Sequence, residues 1–192
     1  MQTTRTNILL ALTAAAAVLL PLPSHGQFGG LGKVAGIATG TVTAEGLMTD
    51  LLGGFDYFAR ANTNFAAALL SKEEVAKINA ELAALKPKED PTAAQAFNKE
   101  TCAKIKAAAD AMISTGRALS ETQKQQVKAG QGEATKGMAK WGLVGASLAM
   151  AAKSGNSDAQ LAAAIPAAQQ MIRDLPDIKN MLGTINQLNK IK

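Results

Sequence analysis

The segment SETQKQQVKAGQGEATKGMAKWGLVGASLAMAAK, residues 120–153, indicates one long amphipathic helix. At about 100° per residue, its larger apolar side chains share one side of the helix. These side chains are Val127, Ala134, Met138, Trp141, Val144 and Leu148. The other side carries what we call the lysine row, which consists of Lys124, Lys128, Lys136 and Lys140. Because an apolar stripe of this length must be buried against other elements, the segment predicts a protein built from packed helices.

The sequence before this helix has the same helical spacing from residue 43 onward. Residues 43–70 carry apolar side chains on one stripe and predict a first helix. A Ser-Lys-Glu-Glu capping box at residues 71–74 predicts the start of a second helix, which should end at Pro87. Pro91 should start a third helix that ends near Gly116. A second capping box, Ser-Glu-Thr-Gln, then opens the long fourth helix.

Two shorter helices are expected after the long one. Ser157 with Gln160 should cap the fifth helix, and Pro166 should kink or interrupt it before Leu175. Pro176 should start the sixth helix. The short connections favour antiparallel neighbours, so we predict an all-α fold, an antiparallel bundle of about five to six helices. This helical domain should span residues 43–192 and follow a cleaved signal peptide.

Residues 1–26 have the three parts of a secretory signal peptide. A polar start with Arg5 precedes an apolar run at residues 8–20 and a breaker segment at residues 21–26. The apolar run, about 13 residues, is shorter than the roughly 20 residues that a membrane-spanning helix needs. We therefore expect cleavage before Gln27 and a soluble product that is periplasmic or secreted.

Residues 27–42 are glycine-rich and nearly uncharged, with Gly32, Gly36 and Gly40 at four-residue spacing. In a helix this spacing aligns the glycines on one face, where another helix can approach closely. Glycine also costs about 1 kcal/mol at each helical position, and chain termini are commonly loose. We predict a flexible arm, and the alternative is a helix-packing or membrane-contacting segment.

The composition excludes several classes of function. With 192 residues, 47% of them hydrophobic and 18% charged, the chain is long enough for one small globular domain. Its single histidine, His25, lies in the predicted leader, so the mature protein lacks the commonest general base and metal ligand. We predict no catalytic residue, no metal site and no cofactor, and therefore a protein that is not an enzyme. The alternative is a hydrolase built on carboxylates such as Glu73, Glu121 or Glu133.

Four polar or reactive side chains lie where the sequence predicts packing contacts. Asn62 falls within the apolar stripe of the first helix, so its amide needs a partner. We expect a hydrogen bond that fixes the register between helices, and the alternative is a ligand or partner contact. Cys102 should be buried as a small apolar side chain, with an intermolecular disulfide as the alternative. Asp174 and Asp177 flank Pro176 and should cap the last helix.

The charge pattern bears on possible partners. We expect the lysine row to be a solvated basic face without a partner. The alternative, which the pI of about 9.4 suits, is contact with an anionic membrane or envelope surface. Asp56 and Arg60, four residues apart, should form an exposed ion pair. Few arginines and few aromatic residues remain after leader removal, so we predict no nucleic-acid partner. The stretch 138–152 is apolar on nearly all sides and should be the most deeply packed part of the protein.

These observations lead to a functional hypothesis with one main alternative. We expect an exported, non-enzymatic helical protein that acts in the cell envelope by binding another protein or by self-assembly. The alternative is a protein that associates with a membrane or envelope surface through the glycine-rich arm and the lysine row.

Overall fold

The computed structural model describes residues 42–154 and 159–191, and these residues form six helices and no strand. The helices are α1 (Ala44–Leu69), α2 (Lys72–Ala84), α3 (Pro91–Ser114), α4 (Glu121–Ser154), α5 (Ala159–Ile172) and α6 (Leu175–Leu188). The predicted all-α class is confirmed for this part of the chain. The predicted signal peptide, residues 27–41 of the glycine-rich arm with Gly32, Gly36 and Gly40, and the Ser157 cap lie outside the described residues.

The capping boxes predicted for α2 and α4 are both present. The Ser71 hydroxyl accepts a hydrogen bond from the Glu74 amide at 3.3 Å, and the Glu74 carboxylate accepts one from the Ser71 amide at 3.0 Å. Ser120 and Gln123 make the same reciprocal pair at the start of α4. Each box satisfies two backbone donors that would otherwise lack partners at a helix start.

Helix α3 ends near Gly116, as predicted, with Ser114 as its last residue. Gly116 has a φ of +64°, a left-handed conformation that glycine adopts without steric cost. Its amide donates to the Ile113 carbonyl, and the Arg117 amide donates to the Met112 carbonyl. This pair of bonds is a Schellman motif, which satisfies carbonyls at the helix end and turns the chain toward α4.

Pro166 does not interrupt α5, which runs continuously from Ala159 to Ile172, so that part of the prediction is wrong. A proline inside a helix removes the hydrogen bond to the carbonyl four residues earlier, here that of Ala162. Both Pro166 and Ala162 are exposed, so water can hydrate the carbonyl that lost its partner. The exposed position therefore lowers the penalty of an internal proline.

Aromatic rings on glycine positions join α1 to α4. An added Cβ at Gly130 would lie 2.6 Å from the Phe65 ring, and one at Gly137 would lie 3.0 Å from the Phe58 ring. In the reverse direction, the Trp141 ring of α4 lies directly against Gly54 of α1. Any side chain at these glycines would push the helices apart. The glycines therefore allow the close approach of the two longest helices.

The two helices run antiparallel along this contact. The Gln123 amide at the start of α4 donates to the Ala68 carbonyl near the end of α1, at 2.6 Å. Further along α4, the Trp141 indole donates to the Leu51 carbonyl in the first half of α1, at 2.9 Å. The Trp141 ring also meets the Phe58 ring edge to face, with centroids 4.7 Å apart. Shape and hydrogen bonding therefore fix the register of the pair.

The remaining helices complete the core around this pair. Helix α3 packs against α1, α5 and α6, and α5 also contacts α1. Helix α2 buries a single side chain, Ile78, and is the least integrated element among the described residues. The largest fully buried side chains are Trp141, Phe55, Phe58, Phe65, Leu51, Ile78, Ile105, Leu161, Met171, Ile178, Met181 and Ile185. None of the helices in the described ranges is long and apolar enough to cross a membrane.

Alanine substitutions at two glycines test the close approach of α1 and α4. Gly54→Ala should lower the free energy of unfolding by about 2 kcal/mol, because its methyl group collides with a rigid buried ring. Gly132→Ala should raise it by about 1 kcal/mol, because Gly132 faces open space within α4 and alanine is the better helix former. Urea unfolding followed by Trp141 fluorescence measures both. Equal effects of the two substitutions would contradict this packing.

Candidate functional site: a buried polar cluster

Asn62 of α1 is only 1% exposed and bonds to two side chains of α3. Its Nδ2 donates to the Asn98 Oδ1 at 3.4 Å, and its Oδ1 accepts from the Cys102 thiol at 3.8 Å. Asn98 and Cys102 are four residues apart, so they lie on the same face of α3. The amide therefore joins the two helices inside the core, in the manner expected for a bond that fixes their register.

The cluster continues toward α6 through Gln95 of α3. The Gln95 Nε2 donates to the Asp174 Oδ1 at 3.1 Å. Asp174 is 2% exposed and lies between α5 and α6, directly before Leu175. We define the buried polar cluster as the buried residues Asn62, Asn98, Cys102 and Asp174 together with the half-buried Gln95.

Two buried atoms of this cluster have no hydrogen-bond partner. One is the Nδ2 of Asn98, a donor, and the other is the Oδ2 of Asp174, an acceptor. A buried polar atom without a partner costs roughly 1–3 kcal/mol, and more when the group is charged. The two unpartnered atoms of the cluster therefore destabilise the folded state.

Burial raises the pKa of Asp174 to about 6, from an ordinary value of 3.8. The Gln95 hydrogen bond opposes this shift, the negative charge of Asp177 adds to it, and the charge of Lys99 opposes it. Desolvation dominates because the ionised carboxylate gives up water and gains a bond on only one of its oxygens. Asp174 therefore changes charge in the weakly acidic range.

Asp174 does not cap α6 with its side chain, so the predicted capping role is wrong for this residue. It occupies the position before the helix, but its side chain makes no capping hydrogen bond. Capping side chains bond to the amide two or three residues further on, and two residues further on is Pro176, which has no N–H. The carboxylate instead turns into the core and meets Gln95.

The Cys102 thiol is unsuited to nucleophilic chemistry. Cys102 is free and buried, as expected for a small apolar side chain. Burial raises its pKa to about 12, and the nearby charge of Asp174 raises it further than the Asn62 hydrogen bond lowers it. Only the thiolate attacks electrophiles, so the protonated thiol is inert at neutral pH.

The carboxylates considered for a hydrolase are not assembled into a pair. Glu73 is exposed on α2, Glu121 bonds Lys124, and Glu133 bonds Lys136. Within residues 42–154 and 159–191, no group of three or more acidic, cysteine or histidine side chains is placed to hold a metal ion.

Three members of the lysine row have acidic partners. Lys124 pairs with Glu121 at 2.7 Å and Lys136 with Glu133 at 2.6 Å, both along α4. Lys140 instead reaches Asp50 of α1 at 2.6 Å and bridges the two helices. Lys128 is exposed, and no ion pair in the described part of the chain involves it. The row therefore presents less uncompensated positive charge than the sequence suggests.

The predicted ion pair between Asp56 and Arg60 is wrong. The Arg60 guanidinium lies over the Tyr57 ring, 5.9 Å from its centroid, and Lys136 lies 5.6 Å from the same centroid. A cation above an aromatic face is attracted by the electron-rich ring, typically by about 0.5–1 kcal/mol at exposed sites. Arg60 therefore interacts with the ring of Tyr57 instead of the predicted carboxylate of Asp56.

A cleft of about 430 Å³ lies where the end of α1 and the end of α3 meet the start of α4. Ala68, Leu69, Leu70, Ser71, Ala108, Ala111, Met112, Arg117 and Gln123 line it. Ser71 and Arg117 are exposed, so their polar groups are not held in place by packing. Binding sites usually combine apolar walls with polar groups that are free to meet a ligand. Here the Ser71 hydroxyl and the Gln123 amide are already engaged in the helix-start and α1–α4 hydrogen bonds.

Comparison with known proteins adds no assignment. No family model, curated protein or solved structure matches this chain. The inferences about function that follow therefore depend on its own residues.

Removing the Asn62 amide tests the bond between α1 and α3. Asn62→Ala should lower the free energy of unfolding by about 1–3 kcal/mol, because it leaves buried groups of Asn98 and Cys102 without partners. Asn64→Ala is the control on the same helix. Its amide bonds only the Arg60 carbonyl at the surface, so the change should stay below about 0.5 kcal/mol. Urea unfolding measures both, and a larger loss for Asn64→Ala would contradict the assignment.

The raised pKa of Asp174 predicts how stability depends on pH. The folded state binds its proton more tightly than the unfolded chain, so this contribution is full below about pH 4 and is lost as pH rises through about 6. Asp174→Asn should therefore have a higher melting temperature than wild type at pH 8. Its melting temperature should also decrease less than that of wild type between pH 4 and pH 7. Asp56→Asn, at an exposed position of α1 that does not contribute to the Asp174 shift, should keep the wild-type profile. Thermal melts by circular dichroism check this, and parallel profiles for wild type and Asp174→Asn would refute it.

Proposed function

We propose that this chain is an exported, non-enzymatic helical protein that acts in the cell envelope by binding protein, its own copies included. The proposal includes the leader at residues 1–26, cleavage before Gln27 and a periplasmic or secreted product. It also includes the antiparallel bundle as the arrangement of the mature domain. The leader pattern of the sequence and the antiparallel α1–α4 pair support it.

The observation that carries the proposal is the uncharged second half of α4. No charged residue occurs between Lys140 and Lys153. This stretch was expected to be packed on nearly all sides, but it buries one side only, through Trp141, Val144, Leu148 and Ala151. Because a helix turns by about 100° per residue, Leu143, Ala146 and Met150 share the opposite side, where they are partly exposed. We call these three residues the outer apolar face of α4.

The outer apolar face suits contact with a second protein helix. A solvated helix normally carries charges on its outer side, whereas this one carries Leu143 and Met150. Gly142 beside them faces open space. A small residue at such a position lets another backbone come near. A second copy of this chain is the partner we test first, because identical faces can meet around a two-fold axis.

The buried polar cluster supports a role other than catalysis. Its thiol has a raised pKa, and its one titrating carboxylate is enclosed by the core. The membrane-surface alternative has less support, because acidic side chains accompany most of the lysine row. Non-enzymatic protein binding is therefore the function that the described geometry favours.

A charge on the outer apolar face tests the proposal. Wild-type protein recovered after export should self-associate in sedimentation equilibrium, and Leu143→Lys should weaken the association at least about tenfold, the equivalent of 1.4 kcal/mol. Ala129→Lys is the matched control on α4, since Ala129 is exposed outside the uncharged stretch and should leave association unchanged. The intact mass of the same preparation should correspond to a chain beginning at Gln27.

Two results would contradict the proposal. A wild-type protein that stays monomeric at high micromolar concentration and forms no crosslinks from position 143 in intact cells would remove the binding role. A product that retains residues 1–26 would remove the export role. The two readouts are independent, so each half of the proposal can fail separately.

A further inference from the structure

The corner between α5 and α6 is short and attached to α3 by polar bonds. Only Arg173 and Asp174 separate the end of α5 from the start of α6. On the α5 side, the Gln170 amide donates to the Thr92 hydroxyl of α3 at 3.0 Å. At the corner itself, the Gln95 amide of α3 donates to Asp174 at 3.1 Å. We define residues 170–178 as the corner.

The contact between the corner and α3 depends on whether the Asp174 carboxyl group is neutral or ionised. In the neutral form, one oxygen accepts from Gln95, and the other carries a proton, which costs less desolvation than a buried charge. In the ionised form, the second oxygen holds charge in a buried position without a donor. An ionised group in that position is stabilised by moving toward water. Opening of the corner is the movement that brings Asp174 to water.

The charges around Asp174 do not cancel this effect. Lys99 of α3 is exposed and stabilises the ionised form, but less than burial destabilises it. Asp177 of α6 is exposed and destabilises the ionised form. From α3, the Cys102 thiol is neutral, and Asn62 of α1 contributes only an uncharged amide. Arg173, next to Asp174, is exposed.

We propose that the α5–α6 corner is a pH-dependent latch on α3, closed when Asp174 is protonated and loosened when Asp174 is ionised. The structure described here is the closed form. The pKa of Asp174, about 6, places the change in the weakly acidic range. Loosening of the corner uncovers the α3 face that carries Asn98 and Cys102. The inference is independent of the proposed protein-binding function.

Cys102 is a built-in reporter for the latch because it is the single cysteine of the chain and belongs to the buried polar cluster. Gln95, the partner of Asp174, lies seven residues before Cys102 and therefore on the same side of α3. The nearby charge of Asp174 also contributes to the raised pKa of Cys102. While the corner is closed the thiol is enclosed and unreactive. Its rate of alkylation therefore reports how often the corner opens.

The test is alkylation of the full chain with N-ethylmaleimide at pH 5 and at pH 8. At each pH, the rate for wild type is divided by the rate for Asp174→Asn, so the intrinsic pH dependence of the thiol cancels. The ratio should be several-fold larger at pH 8 than at pH 5, and on the order of tenfold or more if the opened carboxylate regains its ordinary pKa. Asp56→Asn, which removes an exposed carboxylate of α1 that does not contribute to the Asp174 shift, should react like wild type at both values.

A ratio that is the same at pH 5 and pH 8 would overturn the latch. If Asp174→Asn does not fold, wild type alone still decides. Its rate is then divided by the rate of the urea-unfolded chain at each pH, and this protection should fall between pH 5 and pH 8. Protection that equals the global unfolding equilibrium at both pH values would also overturn the proposal, because opening would then be whole-chain unfolding rather than local release of the corner.

Discussion

The structure depends on the contact between aromatic rings and glycines that joins α1 to α4. Phe65 lies on Gly130 and Phe58 on Gly137, seven residues apart on both helices. Trp141 completes the contact in the reverse direction against Gly54. Two heptad-spaced rings on one helix and two heptad-spaced glycines on the other can meet only in one register. The long pair therefore acts as the frame against which the shorter helices pack.

This close contact also determines where polar groups are buried. Because α1 and α4 meet through rings and backbone, the buried amide of Asn62 turns to the other side, toward α3. A separate hydrogen bond from Gln95 of α3 then reaches Asp174 at the corner of α5 and α6. The described helices thus combine a rigid apolar pair with a polar seam that ends in a titrating group.

Sequence reasoning predicted local features better than side-chain partners. The helix starts at Ser71 and Ser120 follow from short capping patterns, because both partners of each box lie within four residues. The burial of Asn98 was missed, although its spacing from Ala94 and Ile105 places it on the buried side of α3. The role of Asp174 was out of reach, because its partner Gln95 is 79 residues away in the chain. The partly exposed side of α4 near Leu143 was missed for a different reason. A stretch that is apolar on all sides does not show which side meets the core.

The most direct measurement of the central contact is proton NMR on the folded protein. The account predicts nuclear Overhauser contacts from the Trp141 ring to the Gly54 α-protons and from the Phe65 ring to the Gly130 α-protons. Those glycine protons should also be shifted by the ring currents of the aromatic side chains above them. Glycine signals at ordinary positions, with no contact to either ring, would show that α1 and α4 do not pack in this register.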